Sequence, residues 1–238
     1  EFRRVLFRSM KTNFTKAALI FTISISTLMG NGLNLKKQGV SISYEDENGD
    51  KATTVIKRIH NDKCKKVNGM DPNVVWGGDY ARADVPADCK KTYVTTVGKI
   101  SPIKIADGIE TYGELEVIEY MKKAQTDENL LLVDARMAQW YAQRTIPTSI
   151  NMPFKSFDPK NADFEIVLDN SGVEFEDGVY DFSAAKTLLL YCNGTWCPQS
   201  VWAIENLLKI GYPKDKLLWY RGGMNSWTSL NLTTIIPQ

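Results

Sequence analysis

Histidine is almost missing from this chain: His60 is the only one in 238 residues. That argues against Ser-His-Asp catalysis, against zinc sites that need several histidines, and against haem attachment through Cys-x-x-Cys-His. His60 itself reads as a surface residue of the N-terminal segment. An excess of one charge is missing too. The formal net charge is +1, so neither nucleic acid nor an acidic surface is implied as a partner. The apolar stretch at 17–29 falls short of the roughly 18 residues that a membrane-spanning helix needs. Cysteine is scarce, with four residues: Cys64, Cys89, Cys192 and Cys197. No metal or organic cofactor is implied. What remains is an ordinary soluble composition, 43% hydrophobic, long enough for one large domain or for a domain with an appendage.

The chain is organised around Thr187-Leu188-Leu189-Leu190-Tyr191-Cys192-Asn193-Gly194-Thr195-Trp196-Cys197-Pro198-Gln199-Ser200. The run from Thr187 to Tyr191 is too short for a typical helix and reads as a fully buried strand of a parallel sheet. After the loop, Val201, Ile204, Leu207 and Leu208 have the spacing of an amphipathic helix ending near Lys209. Cys192 is thereby expected at the carboxyl end of a strand, where open α/β sheets place their ligand crevices. Successive loop N–H groups ahead of a helix form an anion-binding nest, and a thiol in a nest has its thiolate favoured.

Three further stretches complete a pattern in order. Leu131-Leu132-Val133-Asp134-Ala135-Arg136 is a strand ending in Asp-x-Arg. Arg144-Thr145-Ile146-Pro147-Thr148-Ser149-Ile150-Asn151-Met152-Pro153 comes next, and Trp219-Tyr220-Arg221-Gly222-Gly223-Met224-Asn225-Ser226-Trp227 closes the set. With the Cys192 loop, these resemble the motifs of a rhodanese-like (sulfurtransferase) domain of the exported type, over about Ile105 to Ile235. The fold implied is α/β: a rhodanese-like parallel sheet flanked by helices, over 104–238, with a disulfide-stapled N-terminal extension over 33–103.

Residues 1–9 precede the first methionine, share no pattern with the rest of the chain, and are set aside as an assembly scar. Residues 10–32 read as a signal peptide. Lys11 and Lys16 supply the positive start, 17–29 is mostly apolar, and Gly30-Asn31-Gly32 offers the cleavage site. The mature protein is then expected in the periplasm or outside the cell, where disulfides persist. Within the extension, Val40 to Tyr44 alternates like a half-buried strand. Asn48-Gly49 marks a turn, and Thr53 to Ile56 can return as a hairpin. Cys64 and Cys89 bracket a stretch rich in Gly, Asp and Pro. A structural disulfide between them would contribute about 3 kcal/mol. The extension is expected to shield the sheet edge, cover the active-site mouth or mediate self-association as a homodimer.

In the domain itself, Thr111 to Lys123 reads as a surface helix with Leu115, Ile118, Tyr120 and Met121 on one face. Leu130 to Val133 is a strand, Ala138 to Gln143 a short helix, and 157–181 a polar insertion. Gly211 ends the helix after the loop, Leu217 to Tyr220 is the last strand, and Gly222-Gly223 a tight turn before a short helix. Trp202, Trp219 and Trp227 are assigned to the core.

The resemblance implies that Cys192 is a nucleophile. It would take sulfane sulfur from thiosulfate, polysulfide or a persulfide, hold it as a persulfide, and pass it to a thiol or cyanide. Backbone N–H groups from Asn193 through Gly194, Thr195, Trp196 and Cys197 to Gln199 would hold the charge. Ser200 would cap the helix and add a donor. Asp134 and Arg136 are read as an ion pair below the site. Arg221, Arg136 and Arg144 are the candidate cations. The loop departs from the family pattern: its sixth residue, counted from Cys192, is Cys197, and no lysine or arginine occurs between Cys192 and Ser200. That weights the donor toward polysulfide or persulfide. It also disfavours the dual-specificity phosphatases that share the fold, whose Cys-x5-Arg arginine would stand at Pro198. Trp196 is a candidate wall for a polysulfide chain. Two alternatives stay open: a non-catalytic sulfane-sulfur carrier serving a membrane-bound reductase, or a thiol–disulfide redox protein using Cys192 and Cys197, with Cys197 otherwise a packed loop residue.

Overall fold

The structure is a computed structural model that describes residues 35, 39–45, 49–59 and 99–237. His60, Cys64, Cys89 and the stretch read as a signal peptide lie outside the described residues. Five strands form one parallel sheet in the order β3-β9-β8-β4-β5: β3 (Glu110–Tyr112), β9 (Leu217–Tyr220), β8 (Thr187–Tyr191), β4 (Leu130–Asp134) and β5 (Ile150–Asn151). Helices α1 (Glu114–Ala124), α2 (Ala138–Tyr141), α3 (Phe164–Asn170), α4 (Gln199–Lys209) and α5 (Gly223–Ser229) connect and cover it.

β8 is the middle strand, and its sequence shows why. Leu188 and Leu190 point into one core with Phe164, Val167 and Leu168 of α3 and Ala203, Ile204 and Leu207 of α4. Leu189 and Tyr191 point into a second core with Val117, Ile118 and Met121 of α1 and Met224 and Trp227 of α5. A strand covered on both faces has no use for polar residues, so its apolar run is unbroken. Tyr120 of α1 donates its hydroxyl to the Thr187 carbonyl at 2.7 Å, pinning that helix to the start of β8.

Part of the extension belongs to this second core. Strands β1 (Val40–Glu45) and β2 (Lys51–Ile56) pair antiparallel, and Gly49 takes φ +81° between them. Ile42 and Ile56 are fully buried beside Ile118 and Trp227. Residues 230–233 latch the hairpin: Thr233 N donates to the Lys57 carbonyl at 3.1 Å, and the Thr233 hydroxyl donates to the Val55 carbonyl at 2.8 Å.

Several sequence expectations are corrected. Thr111 lies in β3, so the first helix begins only at Glu114, where Glu116 accepts the Gly113 N–H at 3.1 Å. The supposed polar insertion contains α3 and a hairpin of β6 (Glu174–Glu176) and β7 (Val179–Asp181), and α3 supplies core side chains. Trp202 is 46% exposed, with its ring tilted against Phe154 at 5.4 Å between centroids, because it lies on the outer face of α4. Trp219 and Trp227 are buried as expected.

Candidate active site

β8 carries Cys192 to the end of the sheet. The loop after it is held from two sides. On the inner side, Met224 N donates to the Cys192 carbonyl at 3.0 Å and Asn225 N to the Asn193 carbonyl at 2.8 Å. The approach is so close that a Cβ on Gly223, which has φ +55°, would lie 2.3 Å from the Cys192 carbonyl oxygen. The Gly-Gly turn exists because only glycine lets the two backbones meet. On the outer side, Ser101 N donates to the Thr195 carbonyl at 2.8 Å. Arg221 grips the same segment, its Nη2 donating to the Ser101 carbonyl at 2.8 Å and its Nε to the Pro102 carbonyl at 3.2 Å. Trp196 folds over Gly194, where an added Cβ would meet the indole at 2.6 Å.

The loop curls back on itself through a Cys197 N–H to Gly194 carbonyl bond of 2.9 Å. That brings the two thiols together. Cys192 Sγ donates to the Cys197 carbonyl at 3.0 Å. They are 3% and 6% exposed. Burial, followed by the neighbouring Cys197, pushes the Cys192 thiol well up, against the N–H and hydroxyl of Ser200, which favour its thiolate. Cys197 goes the other way, down to about 6. Its main support is the Cys192 S–H, helped by the backbone N–H groups of Gln199 and Asn193; burial opposes this. Asn193 Nδ2 stands 4.0 Å from Cys197 Sγ. The two shifts run in opposite directions, Cys192 up and Cys197 down, so the pair loses its first proton more easily than a lone buried thiol would.

Ser200 does not cap α4. Pro198 holds the cap position, and the buried Ser200 hydroxyl accepts the Trp219 indole N–H at 3.1 Å. The Gln199 Oε1 atom is enclosed without a hydrogen-bond partner.

Asp134 and Arg136 form the expected ion pair, buried, with Arg136 Nη2 2.6 Å from Asp134 Oδ2 and Nε 2.9 Å from Oδ1. Asn151, in the Asn-Met-Pro motif, donates to the carbonyls of Asp134 and Arg136, both at 2.9 Å. Tyr191 is the residue that sequence reasoning missed. Its hydroxyl gathers Thr145 at 2.7 Å, Ser149 at 2.8 Å and Asp134 at 3.1 Å. Burial, then the Asp134 charge, hold that phenol well above its usual range. Nothing in a Leu-Leu-Leu-Tyr run distinguishes such a hub from a packed ring. Arg136 is thus committed to Asp134 and Arg221 to main-chain carbonyls, while Arg144 is exposed. Two surface cavities, about 410 Å³ beside Phe154 and Trp202 and about 450 Å³ beside Tyr44 and Ile235, are lined by residues outside the loop.

A family model described as "Rhodanese-like domain" matches residues 117–230. A thiosulfate:glutathione sulfurtransferase of Saccharomyces cerevisiae is 31% identical over 134 residues, which cover 56% of this chain and 87% of that protein. Among solved structures, an uncharacterized Saccharomyces cerevisiae protein is 28% identical with a TM-score of 0.37, covering 51% of this chain and 92% of the other. A rhodanese with anions from E. coli is 22% identical with a TM-score of 0.30, covering 44% and 95%.

Proposed function

This chain belongs to the rhodanese-like domain family, and from that premise we propose that it is a sulfurtransferase that carries sulfane sulfur on Cys192. The observation behind the reading is the thiol pair at the end of the central strand: Cys192 beside a Cys197 whose thiol is depressed to about 6. The Cys192 proton passes to the Cys197 thiolate. The freed Cys192 sulfur, favoured by the Ser200 N–H and hydroxyl, attacks the sulfane sulfur. A Cys192–sulfur bond forms, and the donor leaves with the electron pair of the broken S–S bond, as sulfite or a shortened polysulfide. A second thiol or cyanide then removes the sulfur from Cys192.

The charges of the site favour some donors. No lysine or arginine lies between Cys192 and Ser200, and Arg136 and Arg221 have other partners. A compact dianion such as thiosulfate gains little there, so polysulfides or persulfides fit better. The yeast relative's name makes glutathione the acceptor to try first. The basic and apolar features of 10–32 support an exported protein, with a membrane-bound reductase or thiol as partner. The test is steady-state turnover of thiosulfate and of polysulfide with cyanide or glutathione. Wild type is expected to turn over and Cys192→Ser to lose it. No turnover with any pair in wild type overturns the reading as an enzyme. The enclosure of both thiols, 3% and 6% exposed, favours a second reading: a carrier that loads but releases slowly without its partner.

A further inference from the structure

A sulfur-carrying site needs one thiol, and this loop buries two. Cys192 Sγ donates to the Cys197 carbonyl at 3.0 Å, so the two buried side chains belong to one tight turn. The Gly194–Cys197 turn holds them in that relation. Asn193 Nδ2, at 4.0 Å, and the Gln199 N–H face the Cys197 sulfur, which gives a charged sulfur there a partner on each side. An external thiol must enter the loop to reach a sulfur bound to Cys192. Cys197 is already there, with the effective concentration of an intramolecular partner.

Resting on the Cys192 persulfide proposed above, we infer that Cys197 is a second catalytic residue: it attacks the inner sulfur of that persulfide, closes a Cys192–Cys197 disulfide and expels the carried sulfur as hydrogen sulfide. The step balances without an outside oxidant. Cys197, which took the Cys192 proton during loading, releases it to solvent, and its thiolate supplies the electron pair for the new Sγ–Sγ bond. The bond between Cys192 Sγ and the outer sulfur breaks, and the outer sulfur leaves with that pair and its proton as hydrosulfide. The carried sulfur is reduced by two electrons, and the two cysteines are oxidised by two. Hydrosulfide is a good leaving group for thiol–disulfide chemistry, and the disulfide is reopened by a thiol reductant. The activity this adds is reduction of sulfane sulfur to sulfide, at the cost of two thiol equivalents per sulfur.

The test is a single turnover of the full reduced chain, without air or small thiols, with thiosulfate and inorganic polysulfide as separate probes. Intact mass, released sulfide and a peptide map are read. Wild type is expected to become two hydrogen masses lighter with both thiols blocked to alkylation, and a cross-linked peptide should join Cys192 to Cys197. In the thiosulfate arm about one sulfide should appear per chain. Given time to load, Cys197→Ser is expected to stop one sulfur heavier and release no sulfide. Cys192→Ser should do neither. Wild type that keeps the extra sulfur, with Cys197 still open to alkylation, overturns the inference and leaves the carrier reading standing. Wild type unchanged in mass by both probes overturns both. The wild-type mass and map decide the matter even if a variant fails to fold.

Discussion

Two buried thiols that act on each other lose their protons in sequence, and here the Cys197 thiol is lowered to about 6. Below that pH both sulfurs are protonated and poor nucleophiles; above it the pair carries one negative charge. Alkylation of the reduced protein should therefore rise about tenfold per pH unit up to about 6 and then level off, as followed by iodoacetamide rates with mass analysis. Among the described residues, Ser200, Asn193 and Gln199 beside the pair are uncharged, and Arg136, whose charge acts on Cys192, keeps its proton throughout this range, so mass mapping of Cys192 and Cys197 follows the pair itself. In Cys197→Ser the remaining rise should move above the ordinary thiol range, because burial leads the upward push on Cys192. Asp134 permits a second measurement. With Asn in its place, Arg136 stays buried beside a neutral amide. The expected loss is about 3–5 kcal/mol in urea denaturation, since an uncompensated buried charge costs more than a broken contact.

At the scale of elements, the active-site loop is set by the turn before α5 as much as by β8. Gly223→Ala places a methyl 2.3 Å from the Cys192 carbonyl oxygen at φ +55°. The expected cost is about 1–3 kcal/mol from strain, with Cys192 displaced. Thermal unfolding combined with Cys192 alkylation would report both effects. The Gly-Gly turn, the β8 run and Asp-x-Arg were legible because each rests on a local rule: glycine for close approach, apolar continuity for a buried strand, opposite charges two residues apart. α3 was not. Phe164, Val167 and Leu168 have helical spacing, but only across seven residues among Asp, Asn and Gly, where a polar loop is the simpler reading. Trp202 was misjudged because a helix pattern does not say which stripe meets the sheet. The split in thiol acidity was illegible for a different reason. It depends on where the N–H groups of Asn193, Gln199 and Ser200 end up pointing, and the sequence carries no trace of that.

For the whole molecule, the β1–β2 hairpin is part of the core that supports the site. Ile56→Ala should destabilise the domain by about 2–5 kcal/mol in chemical denaturation, a core-sized loss from a residue outside the sheet of five. Exposure of such a residue in an independent appendage would give a change near zero. The latch on that hairpin is formed by residues 230–233, so the earliest described strands are held by some of the last described residues. During synthesis these two groups reach each other only after nearly all of the intervening chain has emerged. Ile42 and Ile56 can meet Ile118 of α1 earlier, but Trp227 and the latch complete their cover only then, which ties final closure of this core to late translation and leaves a window in which a holdase can keep the polypeptide open.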